Sequence, residues 1–329
     1  MKSSPALVYE RYGHPCEVLK LDAMPILPLQ HGEVRLQLIA SPIHPSDFGM
    51  INGSYGRLTQ LPSVAGREGV GEVVELGPGV EHFKLGDKVA FLPEVPGVWQ
   101  TFLTLQASEL IALPSGIPLL QAASALINPP TAYLLLTKMI PLSKGDWIVQ
   151  NGAHSAVGQL VVQLAKILGY KTLNVVRDED QAKTLKSLGA DATVFDGTSY
   201  WKDLPTLTAG APVHLALNSI GGNSAIALMR ALAHGGTMVT FGGMSNDLVK
   251  FPIKPFIFKD LKLVGFWWDH WRRQQTRSNL DALYRPLLEW IANGKLSAPI
   301  EKVYTLKHFA AAFIHAEQRG RKGKIFLSP

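Results

Sequence analysis

Cysteine is almost absent: Cys16 is the one thiol among 329 residues. That excludes an intramolecular disulfide and any structural zinc site built on several thiolates. The ten histidines form no H-x-x-x-H pair and no Cys/His cluster, so no metal site is expected. No apolar run approaches the roughly 20 residues of a membrane span. The opening stretch MKSSPALVYERYGHP carries neither a signal-peptide core nor an Arg-rich amphipathic pattern. A cytoplasmic protein with no membrane partner is the expectation, and a mitochondrial matrix protein trimmed of its transit peptide would read the same. Charged residues make up only 18% of the chain, with a formal net charge of +6, no long basic run and no aromatic–basic interleaving. Nucleic acid is therefore not an expected partner, whereas a mild positive field suits phosphorylated small molecules.

What is present is organised around residues 147–178, WIVQNGAHSAVGQLVVQLAKILGYKTLNVVRD. Trp147-Ile148-Val149 is a short apolar run of the kind a parallel strand covered on both faces requires. Leu160, Val161, Leu164, Ile167 and Leu168 recur at helical spacing. Gly169 stands at the C-cap position, and Leu173–Val176 resumes as strand. The turn between strand and helix is Gly152-x-x-Ser155-x-x-Gly158. Small residues there let backbone N–H groups and a helix N-terminus approach a pyrophosphate. The pattern alone is weak, since Ser155 stands where the usual form has glycine; its place in one strand–turn–helix–strand unit points to dinucleotide binding.

The rest of the chain divides around that unit. Residues 1–122 read as mostly β, with period-two alternation in Ala6–Tyr9, Glu33–Ala40 and Gly69–Leu76 and turn signals at Gly77-Pro78-Gly79 and Leu85-Gly86-Asp87. A partly open β-barrel is expected there. Residues 123–267 alternate strand and helix, which predicts an α/β domain with a doubly wound parallel sheet. Pro118 and Pro129-Pro130 are expected to interrupt helical patterns, and Asp260–Trp267 to form a strand. Residues 268–329 form a return segment, with helices near Leu280–Ala292 and Lys307–Gln318 and a last strand at Gly323–Leu327 that rejoins the N-terminal domain.

This order resembles the medium-chain dehydrogenase/reductase superfamily, with a GroES-like barrel followed by a Rossmann-type domain. Gly66-Arg67-Glu68-Gly69-Val70-Gly71-Glu72-Val73 matches its G-x-E-x-x-G-x-V segment. Zinc alcohol dehydrogenases carry a histidine ligand where this chain has Arg67, which cannot bind a metal, and the catalytic cysteine expected near Pro45-Ser46-Asp47 is missing. The resemblance is therefore to the zinc-independent branch. Within it, the chain is similar to the mitochondrial trans-2-enoyl-thioester reductases through Pro45-Ser46-Asp47, Gly53-Ser54-Tyr55-Gly56, Asn128-Pro129-Pro130-Thr131-Ala132-Tyr133, Gln150-Asn151, Asn174–Asp178, Gly235–Met244 and Phe258–Trp267.

That resemblance implies NADPH-dependent reduction of enoyl-CoA or enoyl-acyl-carrier-protein. Hydride goes to Cβ, and Tyr55 stands on the enolate side as the catalytic residue. By itself Tyr55 reads as a structural tyrosine in a Gly-rich turn, and whether it donates a proton or only positions the substrate stays open. For the cofactor, the resemblance assigns Asn128 to the nicotinamide ribose. The turn His154-Ser155-Ala156-Val157 goes to the pyrophosphate, with Ala156 replacing the usual glycine and His154 the usual asparagine. Arg177, Asp178 and Glu179 surround the adenosine phosphate. Arg177 can grip a 2′-phosphate with its fork of donors, whereas Asp178 beside it would repel one. Phe241, Gly242, Gly243, Met244, Phe266, Trp267 and Trp268 would wall the nicotinamide pocket, and Lys324 matches a terminal cofactor lysine. Core packing is the plain alternative for Phe241 and Met244, and a solvated edge charge for Lys324. Arg272 and Arg273 could steer substrate phosphates or form a solvated face. The strand near Leu261–Gly265 would pair across a two-fold axis in a homodimer. An NADPH:quinone or alkenal oxidoreductase of the same superfamily is the competing reading, and a silent cofactor-binding scaffold is a third.

Overall fold

The computed structural model describes residues 3–95, 97–251 and 253–329. They form two compact units, Met1–Ile127 with Asp281–Pro329, and Asn128–Leu280. The first unit begins with β1 (Ser3–Tyr9), β2 (Lys20–Pro25), β3 (Glu33–Pro42), β4 (Ser63–Val64), β5 (Gly69–Leu76), β6 (Lys88–Phe91), β7 (Phe102–Gln106) and β8 (Leu110–Ala112). The second contains β9 (Trp147–Gln150), β10 (Lys171–Val176), β11 (Ala192–Phe195), β12 (Val213–Asn218), β13 (Thr237–Thr240) and β14 (Lys262–Gly265). The chain then returns to the first unit with β15 (Ile300–Thr305) and β16 (Lys324–Ser328).

In the first unit β3 is the hub. It pairs antiparallel with β5, β7 and the returning β16, in a sheet ordered β15-β16-β3-β5-β6-β8, and a smaller sheet runs β2-β1-β4. Together they are the expected partly open barrel. Alternation on β3 sends Val34, Leu36 and Leu38 into a core shared with Val73, Phe91, Trp99, Phe313 and Leu327. Arg35 is buried on the opposite face, where its register partners answer it: Nε donates to Glu75 at 2.8 Å and Nη1 to Thr104 at 2.9 Å.

The second unit is a six-stranded, all-parallel sheet in the order β11-β10-β9-β12-β13-β14. Counted by appearance this is 3-2-1-4-5-6, so the winding direction reverses between β9 and β12. Both faces are covered. One cluster joins Val149, Val175 and Ala216 to Leu228 and Met229 of the helix Gly222–Ala231, and a second joins Val176 to Val162 and Leu185. The helix Ala156–Leu168 follows β9 and ends at Gly169, as its spacing predicts.

Three local readings are corrected. Pro129 and Pro130 do not interrupt a helix but sit in the first turn of Asn128–Thr137, where a missing N–H costs nothing. The strand expected over Asp260–Trp267 shortens to Lys262–Gly265, because Asp260 adopts φ +48° and Trp268–Arg273 is already helical. The helix expected from Lys307 begins as a 3-10 turn, Leu306–His308, and becomes α-helical over Phe309–Glu317.

Candidate active site

Tyr55 is placed by the end of a short helix. Pro45–Asn52 starts at a proline whose fixed φ suits the first turn. Gly53 closes it with φ +84°, a conformation an L side chain rarely takes. The chain then doubles back, and Ser54 and Tyr55 both donate their backbone N–H to Gly49 C=O, at 2.8 and 3.0 Å. Tyr55 is left half-buried. Its phenol oxygen accepts a hydrogen bond from Arg67 Nη1 at 3.0 Å, and the same nitrogen lies 3.3 Å from Ser46 Oγ. Arg67 is only 5% exposed, and its guanidinium carbon lies 5.2 Å from the Tyr55 ring centroid. A buried organic cation is thus held against the tyrosine.

Behind this pair lies a polar group that sequence reading missed. His44 Nε2 is 2.6 Å from Glu68 Oε1, His44 Nδ1 is 3.0 Å from Lys324 Nζ, and Leu126 N–H donates to Glu68 Oε2 at 2.9 Å. The backbone N–H of His44 donates to Asp47 Oδ2 at 2.7 Å. All four side chains are buried. Burial pushes Asp47 up to about 6, raises Glu68, and drives His44 and Lys324 down, each toward its neutral form. Lys324 is therefore not a solvated edge charge. The available signal was His44 and Glu68 beside two of the motifs, but only the fold of β16 onto β3 brings Lys324 to them.

The second unit supplies a separate constellation at the carboxyl ends of its strands. Ser155 caps the helix Ala156–Leu168, its Oγ accepting from Gly158 N–H. A Cβ on Gly158 would stand 2.5 Å from Ala153 O, so no side chain fits there. His154, Ala156 and Val157 are each half-buried around this turn. Burial lowers the His154 imidazole; the charge of Asp178 opposes that and the charge of Arg177 adds to it.

At the end of β10 Arg177 is exposed. Asp178 is the N-cap of the helix Glu179–Leu188, its Oδ1 accepting from Gln181 N–H at 2.9 Å, while Gln181 Oε1 accepts the Arg177 N–H at 3.1 Å. The acid that seemed to oppose a phosphate is thus turned onto a helix N-terminus. Glu179 is exposed in the first turn.

Amides lock the strand ends together. Gln150 Nε2 donates to Asn174 Oδ1 at 2.8 Å, Asn151 Nδ2 to Asn218 Oδ1 at 2.8 Å, and Asn218 Nδ2 to Thr240 Oγ1 at 3.1 Å. Asn218 was not read from sequence as part of the site. Asn128 is buried at the head of its helix. Phe241 and Gly242 are half-buried, Gly243 is exposed and Met244 is 50% exposed, so Met244 is not a core residue. Phe266 and Trp268 are buried, and Trp267 stacks on His270 with centroids 6.1 Å apart. Arg272 is not a solvated residue: it is buried and paired with Asp269, as Arg273 is at 3.2 Å. Among the described residues no group of three or more His, Cys, Asp or Glu is placed to hold a metal ion, and no helix is long and apolar enough to cross a membrane.

Both parts of the chain are similar to known proteins. The alcohol dehydrogenase GroES-like domain model matches residues 30–115, and the zinc-binding dehydrogenase model matches 156–285. The mitochondrial enoyl-[acyl-carrier-protein] reductase of Xenopus tropicalis is 40% identical over 314 residues, covering 93% of this chain and 90% of the relative. Among solved structures, the complex of Etr1p with NADP and crotonyl-CoA superposes with a TM-score of 0.90 at 28% identity over 100% of both chains. A putative NADPH:quinone reductase from Bacillus thuringiensis superposes with 0.91 at 28% identity over 99% of both.

Proposed function

Because the chain belongs to the enoyl-[acyl-carrier-protein] reductase family, in the zinc-independent medium-chain branch, we propose that it reduces trans-2-enoyl thioesters to saturated acyl thioesters with NADPH. The single observation that carries the chemistry is the Tyr55 hydroxyl held at 3.0 Å by Arg67. The side chains of the second unit suit NADPH. The tight turn, in which Gly158 packs directly on the Ala153 backbone, and the capped N-terminus of a 13-residue helix fit a pyrophosphate. Arg177 fits a 2′-phosphate, with Asp178 directed at its own helix. Asn128, Phe241, Gly242, Gly243, Met244, Phe266, Trp267 and Trp268 are assigned to the nicotinamide end, and Lys324 is assigned to the cofactor as well.

When bound, NADPH supplies the hydride that reaches Cβ of the enoyl thioester. The chain's own residues serve the other end of the conjugated system, where charge develops on the thioester oxygen. Arg67 donates to the Tyr55 oxygen, and we assign the Tyr55 phenol to that end of the substrate, as a hydrogen-bond donor to the thioester oxygen or a proton source for Cα. Because guanidinium stays protonated, Arg67 does not compete for that proton.

The edge strand β14 is largely exposed, and Leu248, Phe251, Ile253, Ile257 and Phe258, in the stretch of chain that precedes it, are apolar and exposed. An open edge of this kind is a liability in a lone chain, and we assign it to pairing with a second copy in a homodimer. Its relatives carry mitochondrial names, and the matrix is the compartment we assign to it. The quinone-reductase likeness keeps one competitor. Steady-state NADPH oxidation decides between them: turnover on trans-2-enoyl-CoA exceeding that on quinones supports the proposal, and the reverse order supports the competitor.

A further inference from the structure

Lys324, His44 and Glu68 form an unbroken buried chain whose ends are ionisable groups of opposite sign. Lys324 Nζ stands 3.0 Å from His44 Nδ1 and His44 Nε2 stands 2.6 Å from Glu68 Oε1, with the three residues 6%, 3% and 0% exposed. An ammonium has no lone pair to offer. When Lys324 is charged, Nδ1 must accept, and the ring proton sits on Nε2, facing a Glu68 carboxylate. A second arrangement holds the same number of protons: neutral Lys324 accepts from Nδ1–H, and the Glu68 acid donates to Nε2. A neutral imidazole, with one donor and one acceptor nitrogen, is the group that can exchange these two states.

We infer that His44 relays a proton between Glu68 and Lys324, so that the lysine draws its charge from inside the protein when an anionic cofactor binds. The inference rests on the reading of Lys324 as a cofactor lysine. In the step, Glu68 Oε1–H breaks as H–Nε2 forms, and Nδ1–H breaks as H–Nζ forms. Glu68 becomes carboxylate, Lys324 becomes ammonium, the ring stays neutral, and no proton enters from solvent.

The surroundings favour such an exchange. Burial raises Glu68 and lowers Lys324, bringing their proton affinities together, while burial, Lys324 and Arg67 keep the ring from charging. The Leu126 N–H fixes Glu68 Oε2 and leaves Oε1 to the ring. The other charged groups facing the chain are Asp47, Arg67 and, beside Lys324, Arg321. An isolated buried lysine would have to take its proton from water; the relay removes that need and lets His44 act as a positioning residue for charge.

Calorimetric NADP+ titrations at about pH 7.5, in buffers of different ionisation heat, count the protons taken up on binding. The parent is expected to take up about none and Glu68→Gln about one, because Lys324 then starts neutral with no internal donor. Uptake of about one proton by the parent, or none by Glu68→Gln, overturns the relay. Lys324→Met separates the two ideas. A loss of about 10-fold or more in NADP+ affinity keeps the cofactor reading, whereas unchanged affinity removes that reading irrespective of proton count. Should Glu68→Gln not fold, 15N spectra of the parent decide. His44 is expected to stay neutral and shift toward the Nε2–H form on NADP+ addition, and an imidazolium or an unmoved tautomer overturns the inference.

Discussion

Arg67 donates to the Tyr55 hydroxyl oxygen across 3.0 Å while its guanidinium carbon sits 5.2 Å from the ring of the same tyrosine. One cation thus fixes both the phenol oxygen and the ring plane. A double-mutant cycle measures the pairing. Tyr55→Phe is expected to cost about 100-fold in kcat and Arg67→Met about 10-fold, and the double variant should lose little more than Tyr55→Phe alone. Multiplying losses would mean that Arg67 acts independently of the tyrosine.

Arg177 should set the choice of cofactor. Removing a charge-assisted partner of a phosphate costs on the order of 1.5–3 kcal/mol, so Arg177→Ala should raise KM for NADPH by about 10- to 100-fold. KM for NADH, which has no 2′-phosphate, should change little. Asp178→Ala should cost about 1 kcal/mol of stability through the lost cap. Melting curves and initial rates with both cofactors test the pair of expectations.

Gly158→Ala should impair folding and cofactor binding together. The added methyl would meet Ala153 O at 2.5 Å and Ala153 C at 2.7 Å, all backbone atoms that cannot swing away. A destabilisation of about 2 kcal/mol or more is expected from such overpacking, read by denaturant unfolding, with weakened NADP+ binding in the folded fraction.

These expectations also mark what the sequence could carry. The βαβ unit was legible because strand burial, helix spacing and Gly169 all agree locally, and Gly69–Leu76 alternates cleanly enough to give β5 end to end. Tyr55 and Arg177 were singled out only through the family resemblance; the structure sets Tyr55 against Arg67 and leaves Arg177 exposed at the end of β10. Two things were not. Asp178 reads as an acid beside a phosphate site until its helix is seen, because capping depends on where Gln181 N–H points. His44, Glu68 and Lys324 are separated by hundreds of residues in part, and only the pairing of β16 with β3 joins them. Pro129-Pro130 misled for a related reason: proline opposes a helix interior but favours its first turn, and register within the helix is what tells them apart.

His44 should leave a signature in stability against pH. Burial holds its imidazole well below the ordinary 6.5, so the unfolded chain takes up a proton near pH 6.5 that the native state refuses. The His44 contribution is thus complete above about pH 6.5 and shrinks as pH falls. Asp47, raised to about 6, runs the other way: its contribution is complete in acid and is lost as pH rises through about 6. Comparing the parent with His44→Asn, which keeps the backbone bond to Asp47, isolates the histidine. The parent should lose about 1.4 kcal/mol more per pH unit than the variant between about pH 6 and pH 5. Equal slopes in denaturant midpoints would mean that native His44 is protonated in that range.

The most direct measurement is NADPH oxidation with trans-2-hexenoyl-CoA by the parent and by Tyr55→Phe, followed under single-turnover conditions so that chemistry rather than release is read. Brisk turnover by the parent and a loss of about 100-fold in the variant, with NADPH affinity intact, are expected. A parent inert on the enoyl thioester but active on quinones, or a variant as fast as the parent, would contradict it.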